Sequence, residues 1–230
     1  MPKEKDVYTK HVDRYDRLIQ REDYQQNIFK AIQEITRLEG LDVVDIGAGT
    51  GRLTRILAPH VKTITAMDLS LAMIDVAQFV MQQSGAENWS LAVGDNANLP
   101  VKDDCADIVV SGWSFCYLAV WGGEQWWARL QTGLDGIRHV LRKDGTLIIM
   151  ETMGTGFESP NPPPHLSNYY QFLKEEGFSF KLIRTDYQFN SQAEAEELSE
   201  FFFGDELTEK VKKNQWVILP ECTGVWWMKP

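Results

Sequence analysis

The segment Leu41-Asp-Val-Val-Asp-Ile-Gly-Ala-Gly-Thr-Gly51 constrains this chain most. A β-branched apolar run closes on an acidic residue and three alternate glycines, and Arg52-Leu-Thr-Arg-Ile-Leu-Ala58 then takes up helical spacing. Glycine has no Cβ, so the backbone can turn tightly there and a ligand can approach it closely. The pattern predicts a strand, a nucleotide-type cofactor loop and a helix N-terminus; taken alone it also fits a plain turn. Spacing discriminates between cofactors. A dinucleotide loop reads G-x-G-x-x-G, whereas Gly47, Gly49 and Gly51 bring the third glycine one residue early.

The strand-then-helix alternation continues along the chain. Val61 to Asp68 reads as a second strand, and Ser70 as the cap of a helix carrying Met73, Ile74, Ala77 and Val80. Further strands are expected at Trp89 to Asp95, Ala106 to Gly112 and Gly145 to Glu151, with a helix from about Glu124 to Leu141 that Gly145 closes. Such alternation predicts an α/β fold, doubly wound around a mostly parallel sheet with helices on both faces. Residues before Leu41 are charged and helical in pattern, with a C-cap at Gly40. Pro160-Asn-Pro-Pro-Pro164 breaks regular structure as a loop. Beyond it the pattern gives a helix from about Leu166 to Glu176, a strand from Phe178 to Arg184, a helix from about Gln192 to Phe203 and a strand near Cys222 to Met228.

At 230 residues the chain suits one domain. A formal charge of −10 argues against nucleic acid as a partner, because that grip depends on cations neutralising phosphates. Cys105, Cys116 and Cys222 are too scattered for a disulfide framework or a C-x-x-C metal site, and are expected as free thiols in a reducing compartment. His11, His60, His139 and His165 lack ligand spacing, so no metal is expected. Met1 to Asp6 carries no apolar run of the signal-peptide kind, and no run of about 18 apolar residues follows. No membrane partner is expected, and the expected location is cytoplasmic.

In open α/β sheets ligands bind beyond the carboxyl ends of the strands, where three aspartates fall. Asp68 can accept both hydroxyls of a ribose through its two oxygens. Asp95 falls within reach of an adenine amino group, and Asp45 is better placed to order the glycine loop than to touch ligand. Each alone is also a common turn former. In order, however, Val44 to Gly51, Met67-Asp-Leu-Ser70 with Met73, Gly94-Asp-Asn-Ala-Asn-Leu-Pro100 and Ala106 to Ser111 resemble motifs I to IV of the class I S-adenosylmethionine-dependent methyltransferases. The resemblance spans about Leu41 to Glu151.

That resemblance implies a Rossmann-like methyltransferase fold of seven strands, with one of the final pair antiparallel, and S-adenosylmethionine as cofactor. It implies that the glycine loop passes along the methionine moiety and that Asp68 holds the ribose diol. Leu69 and Met73 would flank the adenine, Asp95 and the Asn96 backbone would read its edge, and Ser111 with Gly112 would meet the amino group. Asn96 departs from the alanine usual in the family. Tyr15 is similar to N-terminal tyrosines that close over the cofactor in small-molecule members, and Arg52 is either a partner of the cofactor carboxylate or a solvated helix arginine.

A sulfonium methyl is already activated, so the protein mainly supplies position and electrostatics, and a base is needed only when the acceptor must lose a proton. The acceptor-side candidates are Glu151, His165 and Tyr117. Glu151 is a base or orienting carboxylate, or else a hydrogen-bonded strand-end glutamate; His165 is a loop base or a plain surface histidine. Trp113, Phe115 and Tyr117 form a cage or belong to the core, while Trp121, Trp126 and Trp127 are expected as packing. Tyr169-Tyr170, Thr185 to Tyr187 and Glu221 to Trp227 are offered as a pocket wall, the Trp226-Trp227 pair counting as ligand contact if exposed and sheet packing if buried.

The expected organisation is one domain over 1–230, with a helical lid at 1–40, a cofactor-binding core at 41–151 and an acceptor side at 152–230. The expected function is methyl transfer to a small molecule. A protein acceptor and a catalytically silent cofactor-binding subunit are the alternatives, and the glycine spacing disfavours an NAD-dependent oxidoreductase. The acceptor atom and the choice between monomer and homodimer stay open.

Overall fold

The β-branched run beside the glycines lies at the centre of a sheet in the computed structural model, which describes residues 4–230. Met1 to Lys3, part of the segment without a signal-peptide pattern, lie outside the described residues. The strands are β1 (Asp42–Ile46), β2 (Thr63–Asp68), β3 (Trp89–Val93), β4 (Ala106–Gly112), β5 (Leu141–Thr155), β6 (Ser179–Arg184), β7 (Tyr187–Gln188), β8 (Ile218–Leu219) and β9 (Glu221–Met228). The helices are α1 (Glu4–Lys10), α2 (Val12–Ile19), α3 (Asn27–Ile35), α4 (Arg52–Leu57), α5 (Leu71–Gln83), α6 (Tyr117–Val120), α7 (Trp126–Val140), α8 (Ser167–Glu175), α9 (Gln192–Phe202) and α10 (Asp205–Asn214). Seven strands form one sheet in the order β3-β2-β1-β4-β5-β9-β6. β1 to β5 pair in parallel, and β9 runs antiparallel between β5 and β6. The expected doubly wound architecture with an antiparallel last strand is therefore present.

Both sheet faces are buried, which is why the central strands read as continuous apolar runs. On one face Leu130, Leu134 and Ile137 of α7 and Phe172 of α8 pack on Val44, Ile46 and Val109. On the other, Ile28 and Ile32 of α3, Leu53 and Leu57 of α4 and Met81 of α5 cover Val43, Ile108 and Val110. A third cluster joins Leu18 of α2 to Leu198 of α9, Val211 of α10 and the β7-β8 ribbon, forming a cap beyond the sheet. Arg17 and Arg21 on and after α2 pair with Glu197 and Glu194 of α9, linking α2 to the cap.

Several local expectations are corrected. α3 stops at Ile35, where Thr36 turns extended, so Gly40 sits in a later turn at φ +80° rather than on a helix cap. α7 ends at Val140, and Gly145 lies within β5, where a Cβ would meet the Arg142 carbonyl oxygen at 2.9 Å. α10 and the β7-β8 ribbon were not expected; the ribbon strands are two residues each, too short for any periodicity to register. Ser70 does cap α5, accepting the Met73 amide at 3.4 Å.

α3 carries its own N-terminal device. Asp23, at φ +58°, accepts the amides of Asn27 at 2.8 Å and Ile28 at 2.9 Å, satisfying donors that a helix start leaves orphaned. This fixes the chain immediately after Glu22, a residue of the site below. Asp23→Ala is expected to cost about 1–2 kcal/mol, visible in calorimetry as a Tm drop of about 2–8 °C.

Candidate active site

The glycine loop between β1 and α4 adopts a conformation that other residues resist. Gly47, Gly49 and Gly51 take φ values of +63°, +58° and +87°. A Cβ at Gly47 would stand 1.6 Å from Ser114 Oγ, so the post-β4 segment closes directly on the loop. The Ala48 amide donates to the Met67 carbonyl at 2.8 Å, and the Gly49 amide donates to Asp68 Oδ2 at 2.9 Å. The Ser70 amide takes the other Asp68 oxygen at 2.8 Å. The aspartate at the end of β2 is thereby held across the loop with lone pairs still available on both oxygens.

Asp45 is fully buried under this loop. Thr54 donates its hydroxyl to Oδ2 at 2.6 Å, while Oδ1 is buried with no hydrogen-bond partner among the described residues. Burial pushes its carboxyl up to about 7, against the pull of the Thr54 hydrogen bonds.

A cavity of about 300 Å³ opens over the loop. It gathers Tyr15, Asp45, Gly47, Gly49, Arg52, Asp68, Leu69, Met73, Asp95, Asn96 and Gly112, which is most of the cofactor set expected from sequence. Two expected members are not at its wall. Gly51 faces Ala77, whose Cβ lies 3.4 Å from where its own Cβ would be, and so serves helix packing. Ser111 is buried in β4 with its hydroxyl unpartnered, outside the lining. The unusual Asn96 donates its side-chain amide to Ser114 Oγ at 3.0 Å, bracing the residue that closes on Gly47.

A second cavity of about 670 Å³ adjoins the first, and both are lined by Tyr8, Tyr15, Ile19, Arg52, Trp113 and Tyr117. All three acceptor-side candidates line it. Glu151 is buried and accepts the Cys116 amide at 3.0 Å and the Tyr169 hydroxyl at 3.1 Å; burial pushes its carboxyl up to about 7 despite them. Tyr117 shares a hydrogen bond with the Tyr8 hydroxyl at 2.6 Å and stacks on Trp121 at 4.3 Å. His165 is exposed. Tyr15 is half-buried between the cavities, and the loss of water around its hydroxyl raises it to about 12, with Arg52 opposing.

Arg52 is the chief correction on the loop side. It is not solvated: it donates to Glu22 and lies over the Trp113 ring, 3.6 Å from the centroid. Glu22 also accepts the hydroxyls of Thr185 and Tyr187, each at 3.1 Å. Glu22 belongs to no spacing pattern, and Tyr8 is legible in the sequence only as one residue of an apolar helical face before Leu41. Among the aromatics, Trp113 and Tyr117 line the cavities while Phe115 is core, and Trp121 joins the first cavity instead of packing alone. Tyr169 is buried, and Tyr170 stacks on the buried Trp226 at 5.3 Å, so these belong to sheet packing.

Residues 44–149 match the family model described as a methyltransferase domain. Over that stretch, just under half of the chain, the match supports a class I S-adenosylmethionine-dependent methyltransferase domain. The chain is 34% identical over 117 residues to the malonyl-[acyl-carrier protein] O-methyltransferase of Pectobacterium atrosepticum, the match covering 51% of this chain and 40% of that enzyme. A solved S-adenosylmethionine-dependent methyltransferase from Aquifex aeolicus shares its fold, with a TM-score of 0.59, 16% identity and coverage of 87% of this chain and 88% of that one. The phosphoethanolamine N-methyltransferase 1 of Haemonchus contortus, solved with phosphoethanolamine and S-adenosylhomocysteine, aligns at a TM-score of 0.54 and 19% identity, over 96% of this chain and 48% of that one.

The cavity over the loop fits S-adenosylmethionine by the chemistry of its wall. Asp45, Asp68 and Asp95 face it, one of them with an unpartnered oxygen; of its two arginines, Arg52 is already matched by Glu22 and Arg129 is an exposed residue of α7. A sulfonium and an ammonium group suit such a wall. The two phosphates of a dinucleotide would meet three carboxylates.

The buried carboxyls set a pH dependence. Asp45, Glu151 and Glu221 are raised to about 7, 7 and 8 by burial, so the folded chain binds protons that the unfolded chain releases near its ordinary range of about 4. Their contribution is complete below that range and lost as pH climbs through 7 to 8. Tm of the ligand-free protein should fall between about pH 5.5 and 8.5, and Glu151→Gln should flatten part of that fall.

Proposed function

We propose that the chain catalyses methyl transfer from S-adenosylmethionine to a small-molecule acceptor. The adjoining cavities carry this reading, because they share a wall at Tyr15, Arg52, Trp113 and Tyr117. One has the size and acidic wall for the cofactor, and the other, at about 670 Å³, falls in the range of about 300–1,000 Å³ usual for small-molecule pockets. When bound, S-adenosylmethionine supplies a sulfonium methyl for in-line displacement.

The residues divide the work by position. Asp68, pinned by the Gly49 and Ser70 amides, accepts the ribose hydroxyls on its remaining lone pairs. Gly47 and Gly49 leave the loop backbone bare along the methionine moiety, Met73 and Leu69 flank the adenine, and Asp95 with Asn96 borders its edge. Asp45 offers Oδ1 from beneath the loop. Tyr15 closes from α2, its ring edge 3.9 Å from where a Gly49 Cβ would stand, and excludes water from the shared wall. Glu151, Tyr117 and His165 border the acceptor, and burial holds the Glu151 carboxyl near neutrality. On this reading, residues 1–40 act as the lid, 41–151 as the cofactor core and 152–230 as the acceptor side. Three free cysteines suit a reducing, cytoplasmic setting.

Calorimetry with S-adenosylhomocysteine, S-adenosylmethionine and NAD tests the cofactor side. Both sulfur compounds should bind and NAD should not. Asp68→Ala should weaken binding at least tenfold, the equivalent of about 1.4 kcal/mol or more from lost charge-assisted hydrogen bonds. Unchanged affinity would remove Asp68 from the site, and NAD binding without response to the sulfur compounds would overturn the assignment.

A further inference from the structure

The larger cavity has an imbalance of charge that its own residues do not resolve. Of its basic side chains, Arg52 pairs with Glu22 and Lys210 pairs with Glu206 at 3.3 Å, while His165 lies exposed. Two buried carboxyls remain. Glu151 is engaged by the Cys116 amide and the Tyr169 hydroxyl. Glu221, at the first position of β9, is 1% exposed; the Thr152 hydroxyl donates to its Oε1 at 2.6 Å, and its Oε2 is buried with no partner among the described residues. An orphaned carboxylate oxygen inside a pocket costs free energy unless something entering supplies a hydrogen-bond donor, preferably a charged one.

We propose that the acceptor is a small amine that enters as its ammonium ion, with Glu221 Oε2 receiving its N–H. This rests on the methyltransferase reading above and names its substrate class. The groups facing Glu221 agree with it. Thr152 and Thr155, whose hydroxyls both favour the charged carboxylate, come from β5, and Tyr187 comes from β7; Asp186 accepts the Glu221 amide at 2.9 Å, and Glu22 stands nearby with Arg52, already paired. A carboxylate acceptor would meet Glu22, Glu151 and Glu221 with Arg52 and Lys210 already paired, and an alcohol would leave Glu221 without a charged donor.

An ammonium nitrogen has no lone pair, so it must first give up a proton. The N–H bond breaks, an O–H bond forms at Glu221 Oε2, and the freed nitrogen pair makes the N–C bond as the sulfonium S–C bond breaks, leaving its electron pair on sulfur. The proton on Glu221 passes to water after product leaves. Burial holds the Glu221 carboxyl at about 8, which suits a group that receives a proton and later returns it.

The test uses the whole chain saturated with S-adenosylhomocysteine. Phenethylamine and propylamine, each beside its alcohol and carboxylate counterpart, are titrated by calorimetry, and labelled-methyl transfer is read in parallel with S-adenosylmethionine. Amines should bind at least tenfold tighter than either counterpart, with affinity rising as pH climbs through 8 and Glu221 ionises. Glu221→Gln should remove that preference and its pH dependence while S-adenosylhomocysteine affinity stays within about twofold. Equal or better binding of the alcohols or carboxylates, failure of both amines to bind, or a Glu221→Gln protein that still prefers amines would overturn the proposal. If the variant does not fold, the wild-type panel alone decides. Loss of S-adenosylhomocysteine binding in the wild-type chain would strike instead at the methyltransferase reading.

Discussion

A charge removed from water must meet its counter-charge, and the arrangement of this molecule around its cavities depends on Arg52 meeting Glu22. Arg52 begins α4 directly after the glycine loop, whereas Glu22 comes from the turn between α2 and α3. Tyr187 and Thr185 close on Glu22 from the C-terminal part of the chain, and Trp113 stacks under the guanidinium from the end of β4. One buried pair thus joins the N-terminal helices, the cofactor loop and the acceptor side. Removing either partner leaves the other charge buried and unmatched, a cost of about 3–5 kcal/mol. The same pairing takes the nearest cation out of play, which leaves the walls of both cavities acidic.

That acidity links the two halves of the site. Beneath the loop it is supplied by Asp45, Asp68 and Asp95, and across the shared wall by Glu151 and Glu221. Low polarity around these carboxyls raises several of them toward neutrality, so they are poised to ionise when a cation arrives. A cationic sulfonium on one side and an amine on the other would each relieve a desolvation cost that the empty fold carries. Tyr15 and Tyr117 stand at the boundary, and Tyr117 is held by Tyr8 of α1, whose backbone carbonyl in turn accepts the Ser70 hydroxyl at 2.6 Å. α1 is therefore tied to the cap of α5 beside Asp68.

The parts legible in sequence were those dictated by local chemistry. Val43, Val44 and Ile46 announce a central strand because both of its faces are buried, and Ser70 announces the start of α5 because its hydroxyl meets an orphan amide. Asp68 and Asp95 were legible by falling at strand ends in order. Gly51 and Ser111 followed the same pattern yet lie off the cavity, since a motif does not say which of its residues faces ligand and which faces a neighbouring helix. Gly145 misled for a related reason: a glycine after a helical run suits a cap, but here Leu141 already leaves the helix to pair with Ala106.

The sequence by itself determined the class of fold, the position of the cofactor loop and the sulfonium rather than dinucleotide spacing of its glycines, because these depend on residues within about ten positions of each other. Tertiary structure alone decided the acceptor side. Glu22 is 30 residues from Arg52 and 163 from Thr185, and Glu221 is 69 from Thr152. Contacts over such separations follow from how β9 inserts between β5 and β6 and how the N-terminal helices fold back over the loop, neither of which leaves a periodic signal in the chain.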